Sequence, residues 1–272
     1  MKKHLKLNRD YWDALTPIHV ASKAYDVEGF KSGKCTLLSI EVEEVGDVCG
    51  KSLLHLQCRF GLDTLSWARR GAAVTGVDFS EKAIEQARAL AAELKIPGEF
   101  VCCELSELPS RLLRGDFDVI FASVGVLWWM PDLGRWAQVV AHFLSPGGVF
   151  YIHEFHPFGG VFDDEQPPGS PPRLRYPYFH SVKPMEFPPV ESGDYADPEA
   201  HVNLPHFEWS FSMSDIINSL IAAGLRIDFL HEFDYSTYQS QPFLKRGKDG
   251  MWRYEDAPKT LPLMFSLRAT KP

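Results

Sequence analysis

The sequence has no C-x-x-C pair, no apolar run of membrane length and no excess of basic residues. Each absence removes a class of protein. The five cysteines, Cys35, Cys49, Cys58, Cys102 and Cys103, show no metal spacing. Their odd number points to free thiols in a reducing compartment. No stretch approaches the ~18 apolar residues that a spanning helix needs. The stretch from Met1 to Leu15 carries charge but no apolar segment, so no secretory leader is read there. A cytoplasmic protein without a membrane partner is the expectation. Lysine and arginine together number 28 against 36 acidic residues, a net charge of −8. No nucleic-acid footprint is visible in that balance. His153 and His156 form an H-x-x-H beside Glu154, but strand alternation turns them to opposite faces and no third ligand is placed. No metal is expected.

What is present is organised around Leu53 to Asp78. Leu53, Leu54 and Leu56 make a short apolar run that suits a buried parallel strand. A turn ends at Gly61, a helical pattern runs from Leu62 to Arg70, and Gly71 stops it. Ala73 to Val77 reads as a second strand, with Asp78 at its carboxyl end. In open α/β sheets, ligands bind beyond those ends. A turn feeding a helix offers unpaired N–H groups, and an acid after the next strand accepts from ribose hydroxyls. The unit is read as built for a nucleoside-containing cofactor. A dinucleotide site wants G-x-G-x-x-G, whereas the turn from His55 to Gly61 holds one glycine.

The same stretch resembles motif I of class I S-adenosylmethionine (SAM) dependent methyltransferases, whose pattern is an acid followed by G-x-G-x-G. On that pattern His55 stands at the acidic position, Gln57 and Arg59 at the first two glycines, and Gly61 at the third. Cys58 matches the small residue between the first two, and Asp78-Phe79-Ser80 matches the end of strand two. Further along, Asp116 to Ser123 resembles the family's fourth strand, and Phe143 to Ile152, through Ser145-Pro146-Gly147-Gly148, its turn into strand five. The resemblance implies an α/β, Rossmann-like fold: a seven-stranded, mostly parallel sheet with helices on both faces and a reversed last strand.

Taken in order, the chain divides into four expected parts. Residues 1–45 are read as an N-terminal helical lid, with Asn8 capping a helix that presents Tyr11, Trp12, His19 and Tyr25. Residues 46–156 are the cofactor-binding core. Residues 157–211 are an irregular cap, because residues 157–205 hold 11 of the 20 prolines along with many aromatics and show no helical period. Residues 212–272 complete the core.

The expected cofactor contacts are His55, Gln57, Cys58, Gly61, Asp78, Phe79 and Ser80 around the first turn. Glu104 and Leu105 follow strand three, where the family reads adenine. Ser123, Val124 and Trp128 lie beyond strand four, near the sulfonium, where an aromatic face gains cation–π attraction. Substrate contacts are expected from Tyr11, Trp12, Tyr25, Trp129, His156, Tyr178 and Tyr195. His180, His201 and His206 are further candidates that the sequence does not rank. His153 and His156 are the candidate general bases, since neutral imidazole suits that task near neutral pH.

The resemblance implies a SAM-dependent methyltransferase releasing S-adenosylhomocysteine. Its acceptor would be an O, N, S or C nucleophile of a small, aromatic or partly apolar molecule, and the protein a monomer or homodimer. Two other readings stay open. One is a nicotinamide-dependent oxidoreductase, which the missing glycines disfavour. The other is a non-catalytic SAM-binding relative, signalled by His55, Gln57 and Arg59.

Overall fold

Leu53, Leu54 and Leu56 are fully buried at the centre of the molecule, as a strand covered on both faces requires. The computed structural model describes residues 2–189, 193–256 and 260–272. Three helices come first: α1 (Lys2–Ala21), α2 (Val27–Lys31) and α3 (Ser39–Val45). Strands and helices then alternate through β1 (Ser52–Leu56), α4 (Leu62–Arg69), β2 (Ala73–Asp78), α5 (Glu81–Leu94), β3 (Glu99–Cys102), α6 (Leu108–Arg111), β4 (Phe117–Ala122), α7 (Leu133–Phe143) and β5 (Leu144–Phe155). Two short strands follow, β6 (Met185–Phe187) and β7 (His206–Glu208). The chain closes with α8 (Met213–Ala222), β8 (Arg226–Phe233), β9 (Tyr235–Ser236), β10 (Leu244–Arg246), β11 (Trp252–Tyr254) and β12 (Met264–Thr270).

The main sheet has the order β3-β2-β1-β4-β5-β12-β8. Its first five strands are parallel, and β12 runs antiparallel to both β5 and β8. The seven-stranded sheet with a reversed last strand is therefore present. Successive side chains of β1 feed opposite faces. Leu54 and Leu56 join Trp136, Val140 and Phe143 of α7 and Leu220 of α8. Leu53 joins Trp67 of α4, Val45 of α3 and Tyr151 of β5. This layering leaves the carboxyl ends of five parallel strands on one rim. Among the described residues, no helix is long and apolar enough to cross a membrane.

Two local expectations are corrected. Ser145-Pro146-Gly147-Gly148 is not a turn preceding strand five but part of β5 itself. Leu144 already pairs with Phe117, and the register then shifts to Val119 with Val149. The irregularity is held by the chain's end, since Gly147 N–H donates to Lys271 and Lys271 N–H donates to Gly148. Second, α1 starts at Lys2, so Asn8 lies inside the helix rather than capping it. Asn8 is fully buried. Its Nδ2 donates to the Phe207 carbonyl at 2.7 Å, and its Oδ1 accepts the Phe207 N–H at 2.8 Å. One side chain thus supplies both groups that an adjoining strand would offer β7. The segment after β5 carries the antiparallel pair β6–β7 and is tied to α1 through this contact. A three-stranded sheet, β10-β11-β9, fills the interval between β8 and β12.

Asn8→Ala removes the partner of two buried backbone groups. It is expected to lower unfolding stability by about 2–4 kcal/mol. Urea titration followed by far-UV circular dichroism measures this, and a loss below about 0.5 kcal/mol, the scale of an ordinary surface substitution, would contradict the role.

Candidate functional site

The turn between β1 and α4 decides the geometry of the rim. Gln57, Arg59 and Gly61 have φ of 56°, 53° and 82°. All three are left-handed, a conformation costing roughly 1–2 kcal/mol for a residue with a Cβ. They are the three positions where the resemblance expects glycine. The turn therefore keeps the glycine-type backbone while two positions carry side chains. Steric space explains which glycine stays. A Cβ on Gly61 would come within 2.9 Å of both Ala87 and Phe100, so the packing of α5 and β3 forbids it. Gln57 and Arg59 instead direct their side chains to a cavity above the rim.

Hydrogen bonds hold the turn in place. Cys58 N–H donates to the Val77 carbonyl at 2.9 Å, and Gln57 Nε2 donates to the Val126 carbonyl at 2.8 Å. Asp78 is the main brace. Its Oδ2 accepts Arg59 N–H at 2.8 Å, and its Oδ1 accepts Ser80 N–H at 2.9 Å. Burial pushes its carboxyl above the usual range. Ser80 caps α5 and donates to Asp13 of α1 at 2.6 Å, which seats the first helix on this corner.

His55 is fully enclosed. Its Nδ1 lies 2.8 Å from Thr64 Oγ1 and its Nε2 lies 3.1 Å from Ser123 Oγ. Burial pulls its pKa down to about 3, so the ring is neutral. It bears on the cavity only through Ser123. The opposite wall is fixed by Glu154, whose carboxylate accepts N–H bonds from Gly125, Val126, Leu127 and Phe155. Sequence reasoning placed no role on Glu154. An acid at the end of an otherwise apolar parallel strand was the available signal.

The cavity encloses about 960 Å³. Of the residues expected to contact a cofactor, Gln57, Cys58, Gly61, Asp78, Phe79 and Ser80 line it, as do Ser123, Val124 and Trp128. Of those expected to contact a substrate, Tyr11, Trp12, Tyr25, Trp129 and Tyr195 line it. Other candidates lie elsewhere. Glu104 stands at the head of a short 3₁₀ turn, and Leu105 is buried in the core. Tyr178 Oη accepts the N–H of Met213 at the start of α8.

Neither candidate general base reaches the cavity wall. His153 is wholly buried behind Glu41, with Nδ1 at 3.5 Å from its carboxylate. His156 accepts Phe158 N–H on Nδ1, and its Nε2 lies 2.8 Å from Glu232. Both rings belong to the joints of β5 with its surroundings. The histidines that do line the cavity are His19 and His206. His206 is stacked on Tyr11 at 4.5 Å and on Phe187 at 4.9 Å, with Nε2 at 3.6 Å from Glu208. Burial lowers the pKa of His19. His180 instead bonds the Ser210 carbonyl. Among the described residues, no cluster of three His, Cys, Asp or Glu side chains could hold a metal ion.

Sequence reasoning missed the surroundings of Arg59. Its guanidinium sits 4.9 Å from the Trp12 ring and 4.7 Å from the Tyr25 ring. Nη2 bonds His19 Nδ1 at 3.2 Å and also Tyr195 Oη. His19 Nε2 in turn meets Asp194 at 2.9 Å. With Nδ1 accepting from arginine, the Nε2–H donates to Asp194. Asp63 and Glu41 also line the cavity, and burial together with the Glu41 charge pushes the Asp63 carboxyl up to about 6.

The methyltransferase-domain family matches residues 54–152, from the apolar run of β1 into β5. An Escherichia coli O157:H7 protein named ubiquinone biosynthesis O-methyltransferase is 32% identical over 137 residues, 48% of this chain and 56% of its own length. The Chromobacterium violaceum protein of that name is 28% identical over 111 residues, 40% of this chain and 47% of its own length. The chain spans about half the length of the curated relatives it matches. Among solved structures, a SAM-dependent methyltransferase from Mesorhizobium loti aligns with a TM-score of 0.55 at 20% identity, over 88% of this chain and 99% of that one. The glycopeptide N-methyltransferase MtfA complexed with SAM gives 0.55 at 15% identity, over 86% and 92%. At such identities the likeness shows the fold, which is that of the class I methyltransferases. Within this fold, the braced turn and Asp78 occupy the rim at the carboxyl ends of β1 and β2.

The lowered pKa of His55 has a consequence for stability. Unfolded His55 protonates near 6.5 while the native ring stays neutral to about 3. Its contribution is complete above the unfolded value and is lost as pH falls between the two. Between pH 7 and pH 5 the wild type is expected to lose about 2 kcal/mol more than His55→Asn. Urea unfolding of both proteins at the two pH values measures the difference. Equal losses would mean that His55 titrates normally.

Proposed function

We propose that the protein transfers a methyl group from SAM to a hydroxyl of a small, partly aromatic molecule. The observation carrying this reading is the glycine-type backbone at Gln57, Arg59 and Gly61, braced by Asp78 and opening on the cavity. Asp78 keeps one lone-pair direction free on each oxygen after its two backbone bonds, which suits the vicinal hydroxyls of a ribose. Gln57 Oε1 is a buried acceptor without a protein partner, and an ammonium group on the ligand would satisfy it. Ser123 and Val124, at the end of β4, border the place where the sulfonium would lie. SAM, when bound, supplies an electrophilic methyl on a sulfonium. The volume, about 960 Å³, suffices for that cofactor and a small acceptor together.

The chain's task is then mainly to hold two reactants in line and exclude water, the source of most of the acceleration in such a transfer. The lid helix and the cap segment cover the cavity with Tyr11, Trp12 and Tyr195, against Trp129 of the core. A hydroxyl must lose its proton as the C–O bond forms. We assign His206 as the base, because it lines the cavity and has Glu208 beside Nε2 to stabilise the imidazolium. The curated relatives' names support a hydroxyl acceptor. Division into lid (1–45), core (46–156, 212–272) and cap (157–211) is part of the same proposal. The free thiols at Cys35, Cys49, Cys58, Cys102 and Cys103 support a reducing, cytoplasmic setting.

Calorimetric titration with SAM, S-adenosylhomocysteine and NADH tests the cofactor. Binding of the adenosyl ligands without an NADH signal is expected, and Asp78→Ala is expected to weaken both by at least about tenfold through two or more lost hydrogen bonds. Unchanged affinity in that variant, or NADH binding, would overturn the assignment. His206→Gln is expected to lower kcat by roughly 10²–10⁴ while leaving S-adenosylhomocysteine affinity intact. A kcat that stays flat, with its pH profile unmoved, would remove His206 from the mechanism.

A further inference from the structure

A guanidinium held inside a cavity wall ordinarily meets a carboxylate; among the described residues, that of Arg59 meets none. Its Cζ lies 4.9 Å from the Trp12 ring centroid and 4.7 Å from that of Tyr25. Nη2 is engaged by His19 and Tyr195. Asp194 lies on the far side of the His19 ring, held by Nε2. Nε is buried and has no hydrogen-bond partner. A charged donor enclosed without an acceptor is costly, and among the described residues none offers Nε one. With both Nη2 hydrogens engaged, Nε and Nη1 are the donors that no described protein group takes, and a carboxylate oxygen is the acceptor a guanidinium pairs with most strongly.

The surroundings place these donors on the acceptor side. Tyr195 comes from the cap segment, and its ring lies 5.7 Å from Tyr238. Trp12, beside the guanidinium, packs 5.0 Å from Trp129. Trp129 in turn lies 5.5 Å from His206. Arg59 and the assigned base therefore flank one aromatic wall. We propose that Arg59 anchors a carboxylate of the methyl acceptor, making the acceptor an aromatic hydroxy acid with its ring against Trp129. This rests on the methyl-transfer reading above and adds the charge class of the acceptor. The side chain standing where the family has glycine is thus a specificity device.

The cofactor's own carboxylate has the same chemistry, so the test separates the two sources. Protein saturated with S-adenosylhomocysteine is titrated calorimetrically with ortho-, meta- and para-hydroxybenzoate and with the matching hydroxybenzamides. Wild type, Arg59→Gln and Arg59→Lys are compared. At least one acid is expected to bind the wild type roughly tenfold to hundredfold more tightly than its amide. Arg59→Gln is expected to abolish that preference and Arg59→Lys to keep part of it, each variant being measured at an S-adenosylhomocysteine concentration that saturates it. Equal binding of acids and amides by the wild type, or binding of neither, overturns the inference. A fall in S-adenosylhomocysteine affinity with the acid preference intact also overturns it, by assigning Arg59 to the cofactor. Failure of the wild type to bind S-adenosylhomocysteine at all would instead sink the methyl-transfer reading beneath it.

Discussion

The bond from Arg59 N–H to Asp78 Oδ2 is the contact on which the rest of the rim depends. It joins the turn after β1 to the end of β2 and fixes a left-handed residue that has no glycine freedom. Without a brace, the backbone at Gln57 and Arg59 would relax toward ordinary φ and close the approach to the rim. Asp78 performs this with one oxygen and orders the start of α5 with the other. The same carboxylate thus shapes the backbone that faces the cavity and remains part of its wall. Gly61 completes the turn for a different reason, the absence of room against Ala87 and Phe100.

From that braced residue the side chain reaches the parts of the molecule that cover the sheet. Trp12 and His19 belong to α1, Tyr25 precedes α2, and Tyr195 and Asp194 come from the cap segment. Arg59 touches or lies one bond from all five. The closure is reinforced at two remote points, Asn8 on β7 and Asp13 on the cap of α5. Elements remote in sequence, α1 and the stretch at Asp194 and Tyr195, are in this way coupled to the turn after β1. A group in the cavity that bears on Arg59 bears on them as well.

The sheet was legible because its signals are local. The apolar run of β1, the glycine after α4 and the acid after β2 each act within a few residues, and the reversed last strand followed from the resemblance. What was not legible depends on pairing across long separations. Asn8 reads as a cap because asparagine usually is one, yet its partner is Phe207, 199 positions away. The proline-glycine stretch reads as a turn, yet Lys271 makes it part of a strand. His153 and His156 stand beside the rim in sequence, but Glu41 and Glu232 claim them from other elements. His206, which does line the cavity, sits on a strand of three residues within a segment with no periodic pattern. Gln57 and Arg59 were visible as departures from the family pattern, but only the backbone angles show that they change side chains without changing the turn.

Replacing the motif I acid by His55 removes a negative charge from the floor of the site. The neutral ring, bonded to Thr64 and Ser123, restores the hydrogen bonding that a buried carboxylate would otherwise need. Charge is carried by groups nearer the cavity surface. Asp63 and Glu41 stand in the wall with the Asp63 carboxyl pushed up to about 6, while the Arg59 cation is set against rings. A cation entering beside a carboxyl raised in this way favours its charged form. The floor is then neutral, and the walls hold opposite charges at separate places. Such a cavity favours a ligand pair carrying both signs, which a sulfonium cofactor and an acidic acceptor would supply together.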